Sequence, residues 1–149
     1  MTEDNSIEMD EQTRDTVLDV GGTGVISLST AQSESPHSIP VSYGYDSETE
    51  TFYFRLAADS DTTKGSMTDR PVTFVTYTEE DGRWQSVVAQ GRLEPTGDDE
   101  IATETLEGLE RVEIPYVDIF GKPISEVTFR FYRLVPETLT GREEQPTGL

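Results

Sequence analysis

Cysteine is absent from the 149 residues, and histidine occurs once, as His37. A chain without cysteine has no disulfide, no thiol nucleophile and no thiolate metal ligand. A structural zinc site needs several His or Cys ligands, and a catalytic triad needs a histidine held by its partners. His37 follows Pro36 in a polar stretch that predicts a turn. We therefore expect no metal site and interpret His37 as a solvated turn residue.

Positive charge is scarce as well. Thirty Asp and Glu residues face eleven Lys and Arg residues, which gives a net charge of −19, and Lys64 and Lys122 are the only lysines. Such a surface repels nucleic-acid phosphates and anionic lipids, so we expect neither a nucleic-acid nor a membrane partner. Apolar residues cluster in strand-like runs, which favours a folded domain over disorder. An acidic surface that stays hydrated in concentrated salt indicates a halophilic protein.

Long apolar runs are missing too, because no stretch approaches the ~20 residues that a membrane-spanning helix needs. Residues 1–10 are acidic and polar, unlike a secretory signal, which favours a cytoplasmic location. The phosphate-binding GxxxxGK[ST] loop, the dinucleotide-binding GxGxxG pattern and the DxDxDG calcium loop do not occur. The length suits one domain, which we place at residues 10–142, between flexible tails at 1–9 and 143–149.

What the sequence does contain is a succession of strand-like segments. Alternating apolar and polar residues predict strands at residues 24–30, 38–45, 51–57, 71–78, 84–93 and 127–135. Short helices are predicted at residues 11–19, with Asp10 as N-cap, and at residues 98–112. The strands follow one another in meanders instead of alternating with helices. We therefore predict a mainly all-β fold, an antiparallel barrel of about six strands with two or three short helices.

Local signals set the expected ends and turns of these elements. The glycine pair at 21–22 is predicted to end the first helix. Asp81-Gly82 predicts a two-residue hairpin turn between two strands. Gly91 predicts a bulge or a close approach of two backbones. Pro136 is predicted to end the last strand, because proline cannot donate to a sheet ladder.

Three side chains are candidates for chemistry. Lys64 follows Thr63, and hydroxyls, a cation and backbone N–H groups together can grip a phosphate, although a lone loop lysine is better explained by solvent exposure. Trp84, the only tryptophan, either packs at a barrel rim or forms a wall beside a flat ring. Arg55, on an otherwise apolar strand, either reaches solvent or meets an anion.

The order of these segments resembles that of the pyridoxamine 5′-phosphate oxidase-like, FMN-binding split barrels. The resemblance covers about residues 10–142 and rests on the order and spacing of GVISLST, HSIPVSYGYD, TFYFRLA, Lys64, DRPVTFVTY, WQSVV, Gly91 and RFYRLVPETLTGR. It is closest to the short, single-domain members found in haloarchaea. The resemblance implies an antiparallel six-stranded split β-barrel, FMN as cofactor, and a homodimer that holds the flavin in a groove between its two barrels.

The resemblance also implies which residues contact the flavin ring. Pro40, Val41 and Ser42 would line the isoalloxazine through backbone and small side-chain contacts. Trp84 and Ser86 would border the ring, either from the same chain or from the partner. These roles are carried over from the family position by position, and the residue types themselves are too common in proteins to indicate them.

For the flavin phosphate the resemblance implies a second group of residues. Arg55 and Leu56 would lie near the ribityl chain and the phosphate, and Thr63 and Lys64 would hold the phosphate. The family often has an arginine beside this lysine, where Thr63 stands here, so we consider Arg55 as the residue that completes the grip. The C-terminal residues that hold pyridoxamine phosphate in the oxidase proper have no counterpart in TGREEQPTGL, so we do not expect that reaction.

Three functions are compatible with this sequence. The first is a flavin-dependent oxidoreductase of unknown substrate that exchanges electrons with a small-molecule donor and acceptor, since a flavin would supply the chemistry that the chain itself lacks. The second is a split barrel that binds a deazaflavin or haem, with His37 as a weak candidate for a haem ligand. The third is a non-catalytic module that stores flavin or senses redox state.

Overall fold

Strands dominate the chain, and six of them close into a barrel. The computed structural model describes residues 6–30, 34–57, 69–111 and 129–144. In chain order the elements are β1 (Ser6–Glu8), α1 (Glu11–Leu18), β2 (Gly21–Leu28), β3 (His37–Asp46), β4 (Thr51–Ala57), β5 (Pro71–Glu80), β6 (Arg83–Thr96), a 3₁₀ turn (Asp98–Glu100), α2 (Thr103–Arg111) and β7 (Phe129–Glu144). The strand order is β1-β7-β4-β3-β2-β5-β6, and a further β6–β7 pairing closes the barrel. The predicted mainly all-β fold, an antiparallel six-stranded barrel with short helices, is confirmed.

The local turn signals place several strands as predicted. β2, β3 and β4 form an antiparallel meander, and β4 has the bounds that its aromatic alternation predicts. β5 and β6 form a hairpin whose turn residues, Asp81 and Gly82, have φ angles of 53° and 75°. A type I′ turn requires positive φ at both central residues, and Asp-Gly meets this requirement at low cost.

The prediction that Pro136 ends the last strand is wrong, because β7 passes through this residue to Glu144. The register between β6 and β7 shifts at this point, where Gly91 lies opposite Pro136 and Gln90 lies opposite Thr138. The residue left out of the pairing is therefore Glu137, and a strand tolerates proline at or beside such a bulge. The predicted bulge at Gly91 is confirmed. The continued strand also pairs with β1, so the sheet includes residues on both sides of the predicted domain, 10–142.

The glycine pair at 21–22 begins β2, whereas the sequence predicted that it ends α1. The helix stops earlier, at Leu18, and Asp19 follows with a φ of 54°. Gly21 is required for a different reason, since a Cβ atom there would lie 2.5 Å from the carbonyl oxygens of both Gly108 and Tyr43. The glycine therefore lets α2 pack directly on the outside of the sheet.

The predicted helix at residues 98–112 is interrupted. Asp98–Glu100 forms a single 3₁₀ turn, Ile101 is extended with φ −99° and ψ 129°, and α2 begins only at Thr103. Ile101 packs with Tyr53 and Leu109 in a small cluster between α2 and the outside of the barrel. Burial of this one side chain accounts for the break, which helical periodicity alone does not reveal. Within the described part of the chain, no helix is long and apolar enough to cross a membrane.

Aromatic rings fill the inside of the barrel. The centroid of the Phe74 ring lies 5.1 Å from that of Tyr43, 5.4 Å from that of Phe52 and 5.0 Å from that of Phe54. All four side chains are buried. On β2, Gly24 leaves room for this cluster, since a Cβ atom there would lie 2.6 Å from the Phe74 ring. The Phe74 ring on β5 therefore packs against residues of β2, β3 and β4.

Helix α1 packs on one end of the barrel. The predicted N-cap is confirmed, because Asp10 Oδ1 accepts the Thr13 N–H at 2.7 Å. Leu18 is fully buried, and its carbonyl oxygen accepts a hydrogen bond from the Tyr43 hydroxyl at 2.9 Å. The helix is thus tied to β3 by both apolar packing and a buried hydrogen bond.

A polar network completes the contact of α1 with this end of the barrel. The Arg14 guanidinium bonds to Asp15 at 3.2 Å and to Glu50, in the turn between β3 and β4, at 3.0 Å. The Tyr45 hydroxyl donates to Asp15 Oδ1 at 2.9 Å. The carboxylate of Asp15 therefore accepts from two donors and connects the helix to β3.

We expect Tyr45→Phe to remove part of the stability loss at alkaline pH. Burial, followed by the hydrogen bond to Asp15, raises the pKa of the Tyr45 hydroxyl above its usual value. The unfolded chain releases this proton near pH ~10 while the folded chain retains it, so the free energy of unfolding decreases as the pH rises above about 10. Urea unfolding should show a shallower decrease in the variant. Tyr77→Phe, at an exposed ring, is the control, and equal slopes in all three proteins would contradict this assignment.

Candidate functional site

The barrel is split between β3 and β4. Their ladder joins residues 43–46 of β3 to residues 51–54 of β4, although β3 begins at His37 and β4 continues to Ala57. Outside this ladder, β3 stays beside β2 and β4 stays beside β7, so the two strands diverge. We call the gap between these diverging segments the split. Backbone edges that lack a neighbouring strand can accept or donate hydrogen bonds to a ligand.

Five of the predicted site residues border the split, namely Pro40, Val41 and Ser42 on β3 and Arg55 and Leu56 on β4. Val41 and Leu56 belong to the buried core, so their side chains face away from any ligand in the split and only their backbones border it. Pro40 and Arg55 are exposed and Ser42 is half-buried, because these residues alternate with the core residues along each strand. The structure thus places residues 40–42, which the resemblance assigns to the flavin ring, and residues 55–56, which it assigns to the ribityl chain and phosphate, on the two sides of the split.

Arg55 provides a positive charge beside the split. Its Cζ atom lies 4.6 Å from the centroid of the Phe129 ring on β7. This cation–π contact holds the guanidinium plane against the barrel while leaving the residue exposed. An exposed guanidinium with a fixed orientation is suited to binding an anionic group.

The outside of the barrel next to the split carries a surface that we call the uncharged face. Its residues are neighbours in the cross-strand pairing, and charged residues border it, with Arg142 opposite Ser86 and Glu79 opposite Trp84. The residues of the face are Ser38, Pro40, Ser42, Thr23, Val25, Ser27, Thr73, Val75, Tyr77, Ser86, Val88, Gln90, Thr138 and Thr140. Hydrogen bonds join neighbours across it, such as Ser27 with Ser38 at 2.7 Å. None of these residues is charged, although thirty of the 149 residues are Asp or Glu. Acidic residues are therefore absent from the part of the outer surface that lies within these borders.

The centre of the uncharged face is apolar. Pro40 pairs with Val25, Val25 with Val75, and Val75 with Val88, which forms a continuous row across four strands. Val25 is 38% exposed in the single chain. A contiguous exposed apolar row on a soluble protein is typical of a binding surface.

An exposed aromatic pair lies at one edge of the uncharged face. Tyr77 is 66% exposed and Trp84 is 50% exposed, and their ring centroids lie 5.9 Å apart at an interplanar angle of 53°. The backbone N–H of Trp84 donates to Glu144 Oε1 at 2.8 Å, which fixes the strand beneath the pair. The sequence analysis did not single out Tyr77. The available signal was its outward position on a strand that leads into the Asp81-Gly82 turn, diagonally across from the only tryptophan.

The structure does not bring Trp84 and Ser86 to the split of the same chain. Ser86 lies opposite Tyr77 on β6, and Trp84 lies two residues before it. β2 and β5 stand between β3 and β6 in the sheet, so at ~4.8 Å per strand the two segments are about 14 Å apart. Within one chain these two predicted ring contacts are therefore separated from the other five residues.

The remaining predictions concern the phosphate, His37 and metals. Thr63 and Lys64 lie outside the described residues. His37 begins β3 and pairs with Leu28, so its placement in a turn is wrong. Over residues 6–30, 34–57, 69–111 and 129–144, no group of three or more His, Cys, Asp or Glu could hold a metal ion.

The fold and the split define a class, the small antiparallel split barrels. The sequence profile of the pyridoxamine 5′-phosphate oxidase family matches residues 10–143, and the chain belongs to this family. The resemblance in the sequence is thereby confirmed at the level of the family. A search of curated proteins finds no match.

Solved structures with the same fold include proteins that bind flavin or haem. A candidate pyridoxamine 5′-phosphate oxidase from Corynebacterium glutamicum has a TM-score of 0.67 and 22% identity, with both chains covered at 100%. An FAD-binding protein from Mycobacterium smegmatis has a TM-score of 0.63 and 16% identity, covering 95% of this chain and 100% of the other. An FAD- and haem-binding protein from the same organism has a TM-score of 0.61 and 12% identity, covering 98% and 77%. At these identities the similarity supports the fold alone.

Proposed function

We propose that this protein is a homodimeric FMN-binding flavoprotein and a flavin-dependent oxidoreductase that works with small-molecule electron donors and acceptors. The observation that carries the proposal is the split next to an uncharged face on a chain of net charge −19. Membership of the family and the FAD-binding relatives support a flavin as the cofactor. Bound FMN would supply the hydride or electron transfer.

The uncharged face supports a second copy of this chain as its occupant. Two copies of net charge −19 repel each other, and burial of a carboxylate without a partner carries a large desolvation cost. A surface free of charge is where two such copies can meet at the lowest cost. The apolar row through Val25, Val75 and Val88 would then leave water on both copies at once.

The residues around the split fit a flavin. Residues 40–42 and 55–56 lie beyond the β3–β4 ladder, where their backbones can offer hydrogen bonds to the polar edge of the ring, and Pro40 and Ser42 are small enough to allow close approach. Arg55 offers a cation for the ribityl phosphate end. The two strand edges and Arg55 all belong to a single protomer.

The aromatic pair fits the second half of such a site. Tyr77 and Trp84 are too far from the split of their own chain to border a flavin there, so we propose that they cover the flavin bound by the partner. Their exposed rings would stack on a flat ring and exclude water from one side of it. The dimer would then be required for complete binding, and a monomer would have half a site.

The test is an absorption spectrum of the protein purified in molar KCl, since we propose concentrated salt as its working environment. FMN is added, free flavin is removed on a desalting column, and the mass is measured by light scattering. Two visible flavin bands retained on a particle of two chains are expected. Subsequent addition of NADH or NADPH with an electron acceptor then tests turnover, and absence of turnover would favour the non-catalytic flavin-binding module.

Other outcomes of the same experiment contradict the proposal in distinct ways. A colourless protein that retains no FMN contradicts flavin binding, and flavin retained on a single chain contradicts the shared site. A Soret band in the purified protein would indicate haem. A single visible band in place of the two flavin bands would indicate a deazaflavin.

A further inference from the structure

Arg70 has a buried guanidinium nitrogen for which the described chain supplies no acceptor. Its Nη1 atom is inaccessible to solvent and has no hydrogen-bond partner. Other arginines have carboxylate partners, such as Arg14 with Glu50 at 3.0 Å and Arg133 with Glu94 at 2.9 Å. Buried charged donors are almost always paired in native proteins, so an exception calls for a partner that the described chain does not supply, such as a water molecule, an ion or a ligand. In a chain with thirty acidic residues, this exception is all the more informative.

The position of Arg70 on the inside of the sheet follows from its neighbours. Asp69 and Arg70 both oppose Leu93, because the Asp69 N–H donates to the Leu93 carbonyl at 2.7 Å and the Leu93 N–H donates to the Arg70 carbonyl at 3.1 Å. Asp69 has a φ of 60°, as expected for the first residue of such a bulge. Arg70 precedes the buried Val72 by two residues and so shares the inner face of the barrel with it.

Arg70 lies at the end of the barrel toward which the split opens. Leu28, at the end of β2, pairs with His37 on β3 and with Val72 on β5. His37 is the first residue of β3 and lies beyond the end of the β3–β4 ladder at which the two strands diverge. The guanidinium and the open end of the split are therefore at the same end of the barrel, opposite the end covered by α1.

The acidic residue next to Arg70 in sequence does not satisfy it. Asp69 Oδ2 lies 4.0 Å from Arg92 Nη1, and the same nitrogen donates to the Asp69 carbonyl at 2.9 Å. Arg92 faces outward and is exposed, so Asp69 is turned toward the outer side of the hairpin. Asp69 therefore does not pair with Arg70, and the buried Nη1 atom stays without an acceptor among the described residues. A planar guanidinium matches the oxygen geometry of phosphate and carboxylate groups.

We propose that Arg70 binds a phosphate group at this end of the barrel, and that in the flavin-loaded protein this group is the phosphate of FMN. The assignment of this phosphate group to FMN rests on the proposed function. Arg70 would supply the guanidinium that the family often has beside its lysine and that is replaced here by Thr63. It would also let the protein distinguish FMN from riboflavin, which has the same ring and no phosphate.

The test compares the wild type with Arg70→Gln and with Arg133→Gln. The control removes the same charge from a guanidinium whose carboxylate partners are present in the structure. Each protein is titrated with FMN and with riboflavin in molar KCl, and quenching of the single tryptophan reports binding. Arg70→Gln should weaken FMN binding about 10- to 100-fold and leave riboflavin binding unchanged. Arg133→Gln should change neither Kd. An unchanged ratio of FMN to riboflavin affinity in Arg70→Gln would overturn the assignment to the flavin phosphate.

Thermal unfolding separates this inference from the proposed function. Without ligand, Arg70→Gln removes no side-chain hydrogen bond or ion pair among the described residues, so its Tm should equal or exceed that of the wild type. Inorganic phosphate, compared with chloride at equal ionic strength, should raise the Tm of the wild type and not that of Arg70→Gln. If neither flavin binds, this phosphate effect still supports an anion site at Arg70. A lower Tm of ligand-free Arg70→Gln, or an equal phosphate effect in both proteins, would instead indicate that the guanidinium is satisfied by the chain itself.

Discussion

Val25→Asp is expected to convert the proposed dimer into monomers and to reduce flavin binding below detection, while the barrel stays folded. The residue lies in the middle of the apolar row of the uncharged face and is 38% exposed in the single chain. A carboxylate there stays hydrated in the monomer, but each dimer would bury two of them without partners. At ~3–5 kcal/mol for an uncompensated buried charge, dimer affinity should fall by a factor of at least ~100.

The matched control is Val135→Asp. Val135 is 52% exposed on β7, opposite Arg92 and outside the uncharged face, so the same change of residue and charge occurs where no partner is proposed. Light scattering in molar KCl should give one chain for Val25→Asp and two for Val135→Asp. Circular dichroism should show both variants folded. Two chains and wild-type flavin affinity in Val25→Asp would place the dimer interface elsewhere.

Phe74→Ala is expected to produce a large loss of stability. The Phe74 ring is fully buried and contacts three other buried rings as well as the space left open by Gly24. Removing such a ring leaves a cavity between four strands and typically costs ~3–5 kcal/mol. For a chain of this size the Tm should fall by roughly 10 °C.

Phe74→Leu is the graded control, because leucine retains most of the apolar volume and should lose less than half as much stability. Thermal unfolding in molar KCl measures both. Since the same cluster positions β2, β3 and β5, Phe74→Ala should also weaken FMN binding through the face that these strands form. Equal Tm values for the two variants would mean that the cavity collapses or that the ring is not central to the core.

Much of the fold could be predicted from the sequence, because the determining interactions are local. β4 alternates aromatic core residues with outward residues, and its bounds were predicted correctly. The hairpin of β5 and β6 follows from Asp81-Gly82, which adopts the positive φ angles that the turn requires. The helix start at Asp10 follows from one side chain capping one N–H group.

The errors concern features that depend on a distant part of the chain. Pro136 normally ends a strand, but here it lies opposite Gly91 on β6, beside a bulge that leaves Glu137 out of the pairing. The helix predicted from residue 98 is broken because Ile101 packs against Tyr53, far away in sequence. Neither partner is visible in a local window of sequence.

The candidate site also has some features that the sequence predicts and others that depend on distant parts of the chain. The resemblance pointed to residues 40–42 and 55–56, and the alternation of the strands already implies that Val41 and Leu56 face the core. The separation of Trp84 and Ser86 from these residues depends on the strand order, which places β2 and β5 between β3 and β6. Tyr77 and Arg70 became candidates only through a neighbouring ring and a missing acceptor.

The sequence by itself determined the class of fold and the turns, because the alternation of apolar and polar residues and the turn residues act on neighbouring residues. It also determined the excess of acidic residues and the resemblance to a family, which depend on composition and on the order of segments. Only the tertiary structure decided that β3 and β4 separate, that uncharged residues gather on one part of the outer surface, and that Arg70 Nη1 is buried without an acceptor among the described residues. These features arise from which strands lie side by side. Strand pairing brings together residues that are distant in sequence, so their chemistry as a group exists only after folding.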